Sequence, residues 1–198
     1  MLRIKTILIV LFLMCPNSLF SIEKEQNINT KTAVVFNTLC AKCHEGQCSG
    51  RLSFDTGSEA VSSHIRRYSD DVNISQNEIR QFFTLINYMK KECKLLMPES
   101  KKYQISELNS FSIPSHMSYF IPLGILKKGE YTLVIKLKEG SCSQIEIMST
   151  KFDSSLDVVL SPNIKKQSLK FSIDEKLNYY LRLRSSKPLY VEILEIKE

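Results

Sequence analysis

The stretch EYTLVIKLK, residues 130–138, alternates along its length. Tyr131, Leu133, Ile135 and Leu137 fall on one side of an extended chain, and Thr132, Lys136 and Lys138 on the other, with Val134 the apolar exception. A period of two is the pattern of a strand with one buried face. Working outward, six more runs carry the same signal: Met117 to Leu123, Ser143 to Met148, Leu156 to Leu160, Leu169 to Ile173, Tyr179 to Leu183 and Leu189 to Ile196. Turn-forming residues separate them, among them Lys128-Gly129, Glu139-Gly140 and Ser161-Pro162-Asn163. Short strands at this even spacing predict an antiparallel β-sandwich or small barrel over residues 115–198.

Upstream the period changes. Ile79, Phe82, Phe83, Ile86 and Met89 recur at helical spacing within Ser75 to Cys93. Ser75 and Glu78 form a capping-box signature at the start of that segment. Thr30 to Leu39 reads as a shorter helix, and Gly57 to Arg67 as another. The stretch from Pro98 to Pro114 is polar and reads as a linker, residues 99–114, or as a wrapping segment. The expected organisation is therefore multidomain: an all-α domain over residues 22–98, the linker, and an all-β sandwich or small barrel.

Residues 1–21 read as an export signal, with Arg3 and Lys5 ahead of an apolar run from Ile7 to Met14 and a polar stretch ending at Ser21. The run is shorter than the roughly 20 residues a membrane span needs. Cleavage there implies a periplasmic or otherwise exported protein with no transmembrane span. Without that segment the chain carries a net charge of +4, and all the excess lies beyond residue 100, where 15 basic residues meet 11 acidic ones. The lysines are scattered along the sequence with no interleaved aromatics, which excludes a nucleic-acid footprint and reads as a solvated surface.

The residues that carry chemistry are Cys40-Ala41-Lys42-Cys43-His44. Two thiols at this spacing can add to the two vinyl groups of haem, and the adjacent histidine can supply the proximal iron ligand. The pentapeptide arises by chance in roughly three per thousand chains of this composition. A zinc site would need a second Cys/His pair at ligand spacing, and a thioredoxin-like pair would need a strand before it, and neither pattern is present in the sequence. An export signal agrees with haem attachment outside the cytoplasm.

Phe36-x-x-x-Cys40-Ala41-x-Cys43-His44-x-Gly46, followed by the helix 75–93 with Tyr88 near its end, resembles the class I mono-haem cytochrome c family over residues ~30–97. The resemblance implies an all-α cytochrome c-like domain holding one covalent haem c. It makes Cys40 and Cys43 the thioether attachments and His44 the proximal axial ligand. Such proteins take a distal methionine from the loop before the last helix, and this chain has none there. His64 is the expected distal ligand ahead of Met97, because the family topology brings that ligand from the chain before the last helix, whereas Met97, which precedes Pro98, follows it; an open distal site is the third option. Met89 reads as core and His116 as a loop residue.

Cys48 and Cys93 fit no haem attachment, and in an oxidising compartment they are expected to form a disulfide, with Cys142 either free or an alternative partner for one of them. The β-half offers no catalytic triad and no phosphate loop. The expected function is electron transfer, not enzymatic catalysis, with a redox partner protein docking near the haem edge or through the basic β-domain. Two alternatives stay open: a haem-based binder or sensor of small ligands, and a non-catalytic haem subunit of a larger oxidoreductase.

Overall fold

The computed structural model describes residues 28–44, 58–68, 73–97, 103–113 and 117–198. Its larger part is two antiparallel sheets. The strands are β1 (Ser112–Ile113), β2 (Ser118–Leu126), β3 (Gly129–Leu137), β4 (Ser143–Ser149), β5 (Ser154–Leu160), β6 (Lys166–Ile173), β7 (Leu177–Ser185) and β8 (Val191–Lys197). One sheet runs β1-β2-β7-β4-β5 and the other β6-β3-β8. Each of the seven alternating runs becomes a strand, and the inward set of β3 is the one its alternation marks: Tyr131, Leu133, Ile135 and Leu137 are all buried. They meet Ile121, Ile145, Ile147, Leu181 and Leu183 of the facing sheet in one apolar cluster. The β-sandwich is thus the dominant architecture.

The central strand β7 shows why the helices are not a separate body. Tyr179, Leu181 and Leu183 point into the sandwich, while Tyr180 and Arg182 point the other way, and all five are buried. A strand buried on both faces must be covered on both. The second cover consists of α1 (Thr30–Val35), α2 (Ala41–His44), α3 (Ser58–Tyr68) and α4 (Gln76–Glu92). Phe36, Phe82, Leu85 and Met89 from this layer share one packed cluster with Ile113, Phe120, Met148 and Tyr180 from the five-stranded sheet. Phe120 and Tyr180 stack with ring centroids 5.3 Å apart. Burial first, and the neighbouring Tyr88 phenol second, push the Tyr180 hydroxyl up to about 12. After α4 the Leu95 N–H donates to the Thr150 carbonyl at 2.7 Å, tying the chain to the loop between β4 and β5.

The expected all-α cytochrome c-like domain followed by a β-domain is corrected on this point. The described helices are short, and they form a layer on the outer face of a sheet, not an all-α domain with a core of its own. The expected linker behaves accordingly. Residues 105–111 form a 3₁₀ helix, Ser112 and Ile113 pair with Tyr119 and Ser118, and Tyr103, Leu108 and Ile113 are buried. The Tyr103 hydroxyl donates to the Leu194 carbonyl, and its backbone N–H to the Pro122 carbonyl at 3.4 Å. One large apolar side chain every five residues anchors a segment that its overall polarity marks as loose.

Candidate functional site

The thiol-bearing segment begins at a well-made helix start. The Asn29 side chain accepts from the Thr32 N–H at 2.7 Å, capping α1. Asn29 also donates its own N–H to Gln81 Oε1 at 3.1 Å, and Lys31 pairs with Glu78 at 3.0 Å, so α1 is held to α4 at its first turn. Glu78 is itself fixed by the predicted capping box: it accepts from the Ser75 N–H at 2.8 Å while Ser75 Oγ accepts from the Glu78 N–H at 3.2 Å. Burial raises the Glu78 carboxyl, but the Ser75 hydrogen bonds and Lys31 together outweigh it and leave the group below the usual carboxylate range.

Between α1 and α2 the helix widens into a π turn at Phe36–Cys40, where the Ala41 N–H reaches back five residues to the Phe36 carbonyl. Asn37 and Thr38 explain the widening locally. Their side chains donate to the Ala33 and Val34 carbonyls at 2.9 and 2.8 Å, competing with the ordinary backbone ladder. Phe36 stacks on Phe82 with centroids 6.4 Å apart. The consequence is that Cys40 leaves the π turn half-buried against the helix–sheet cluster, and Cys43 follows on the exposed side. Both are free thiols.

Burial first, and then the neighbouring Cys43, push the Cys40 thiol up to about 12. A thiol held in its protonated form is poorly suited to act as a redox nucleophile, which works as thiolate. Among the described residues no group of three His, Cys, Asp or Glu side chains gathers as an ion site, so the metal-binding expectation has no cluster of protein ligands there. What the arrangement does offer is two free thiols three residues apart, Cys40 packed against the apolar cluster that includes Phe36, Phe82 and Met97, and Cys43 exposed.

The remaining expectations fall in different places. His44 closes α2, and what was expected of its imidazole falls outside the described residues, as do Cys48, His116 and the expected signal at residues 1–21. Cys93 is a free thiol in the left-handed C-cap of α4, at φ 47°. The expected Cys48–Cys93 disulfide is therefore corrected, because the Cys93 thiol is free. Cys142 is free as well, and exposed. Met97 is buried in the same cluster that Cys40 packs against. His64 is exposed on α3, with its ring 4.8 Å from that of Tyr68, while the adjacent Ile65 is the residue that enters the core.

Two features escape a reading of the sequence. Arg182 is only 2% exposed, with Nε 3.4 Å from Glu146 Oε2 and Nη2 2.8 Å from Met148 Sδ, beneath the helical layer. The run Tyr180-Leu181-Arg182-Leu183-Arg184 looks like a strand with a solvated face, and nothing in it announces a cover. The second is the arrangement of lysines on the three-stranded sheet, which are scattered in sequence and gathered by register.

No family model matches this chain, and no curated protein matches it. Among solved structures, one described as "CBM4 structure and function" aligns with 40% of this chain and 72% of its own, at 9% identity and a TM-score of 0.31. Another, described as "EclA C-terminal domain; sugar-binding protein", aligns with 40% of this chain and 64% of its own, at 16% identity and a TM-score of 0.27.

Proposed function

We propose that this chain is an exported electron carrier holding one haem c through Cys40 and Cys43, with His44 as its proximal ligand. The observation that carries the reading is the placement of the two thiols. Both are free, they sit three residues apart, and Cys40 lies at the edge of the apolar cluster. Bound there, haem would supply a one-electron Fe(III)/Fe(II) couple whose potential depends on the axial ligands and on burial. The chain's own contribution is to exclude water and hold that environment rigid: the Asn29 cap, the Lys31–Glu78 pair and the Phe36–Phe82 stack fix the thiol-bearing helix from one side. The sheet residues Phe120, Met148 and Tyr180 support the layer from the other. A carrier needs no proton-transfer group, and this reading assigns none. A redox partner protein completes it.

Met97 is favoured over His64 as the distal ligand, because it is buried in the cluster that Cys40 joins while His64 faces solvent. The protein purified after expression with haem-attachment machinery is expected to show a six-coordinate low-spin visible spectrum. Met97→Ala should turn it high-spin, and His64→Ala should leave it unchanged. The opposite pair of outcomes would make His64 the ligand. A five-coordinate wild type that binds carbon monoxide readily would replace electron transfer with small-ligand binding.

A further inference from the structure

We infer that the outward face of the β6-β3-β8 sheet is a docking surface for the anionic headgroup layer of a phospholipid membrane. Strand register puts Lys170, Thr132 and Lys197 in one row across this face, and Lys166, Lys136 and Ile193 in another. Ser168, Val134 and Glu195 lie between them. Lys138 and Lys165 extend the face at the end where the Leu137 N–H donates to the Lys165 carbonyl and the Lys138 N–H to the Tyr190 carbonyl. Against these six lysines stand Glu130, Glu192 and Glu195. Lys136 pairs with Glu192 at 2.6 Å and Lys197 with Glu195 at 3.0 Å. Lys138, Lys165, Lys166 and Lys170 are exposed and join no ion pair among the described residues. The hydrogen bond from Lys136, and after it the charges of Lys136, Lys138 and Lys165, hold the Glu192 carboxyl below the usual carboxylate range despite some desolvation, which marks how positive the local field is.

The chemistry of the face chooses its occupant. Protein–protein hot spots are built on buried aromatic and arginine anchors, and their interfaces are depleted in lysine. Here the rows hold lysine, serine, threonine, valine and isoleucine, with Glu195 paired to Lys197, and no arginine and no aromatic. A flat array of flexible ammonium groups suits a diffuse layer of phosphates, where each lysine near the surface adds a similar increment of binding. Tyr190 stands at the rim, 62% exposed with the Lys138 ammonium 5.9 Å from its ring centroid, an amphipathic side chain of the kind found at headgroup level. The face requires no haem, so it can be tested apart from the electron-carrier proposal.

The purified full chain should co-sediment at low salt with vesicles of phosphatidylglycerol in phosphatidylcholine and not with pure phosphatidylcholine, and rising salt should release it. Lys166→Glu with Lys170→Glu should weaken binding by at least about tenfold. Lys91→Glu with Lys94→Glu, on the helical layer, should not, and circular dichroism should show both variants folded. Equal binding to the two vesicle types, no binding to the anionic ones, or an unaffected Lys166/Lys170 variant would overturn the inference. If the same face instead bound an acidic protein while ignoring anionic vesicles, its occupant would be a protein and not a membrane.

Discussion

Phe120→Ala is expected to destabilise the protein by about 3–5 kcal/mol, the usual cost of truncating a fully buried phenylalanine. Phe120 is a sheet residue, on β2, but its ring is enclosed by the helical layer and stacked on Tyr180. The loss should therefore be felt by both parts at once. In a urea titration the helical and sheet signals of the variant should shift together to a lower midpoint, because the cavity opens in a core that both share. Two separated transitions, with the sheet unfolding where it does in the parent, would mean that the helices form a body of their own after all.

The second large effect concerns the buried arginine. Glu146→Ala is expected to cost about 3 kcal/mol, since it removes the carboxylate beside a guanidinium that is 2% exposed. Replacing both charges by apolar residues of similar size, Arg182→Met with Glu146→Leu, should come within about 1 kcal/mol of the parent, because the desolvation penalty disappears together with the attraction. The contrast between the single and the double variant is the diagnostic result. A single variant that loses less than about 1 kcal/mol would show that Arg182 reaches water or other acceptors well enough to dispense with Glu146.

The strands were legible in the sequence because one-sided burial writes itself as alternation. Tyr131, Leu133, Ile135 and Leu137 read directly as an inward face, and the structure uses them so. The start of α4 was legible too, since Ser75 and Glu78 act within a single turn. The relation between the two parts of the chain was not. It depends on which strand ends up central, and β7 carries Tyr180 and Arg182 on a face that looks solvated until helices cover it. Tyr103 and Leu108 were hidden for a similar reason, because a single anchoring side chain in a polar stretch leaves no period. The candidate site divides along the same line. Cys40 and Cys43 are visible as a motif, whereas the apolar wall that brings Met97 to the same cluster is assembled from distant segments. The lysine rows exist only once β6, β3 and β8 are in register.

The most direct measurement is the intact mass of the protein made in cells equipped for haem attachment. The proposal predicts a coloured protein that keeps its colour on a denaturing gel and is heavier than its polypeptide by one haem. Cys40→Ala with Cys43→Ala should abolish both signs while the sheet signal in circular dichroism persists, because neither thiol enters the core between the two sheets. A colourless wild-type protein of unmodified mass, with Cys40 and Cys43 both open to alkylation after unfolding, would contradict the proposal.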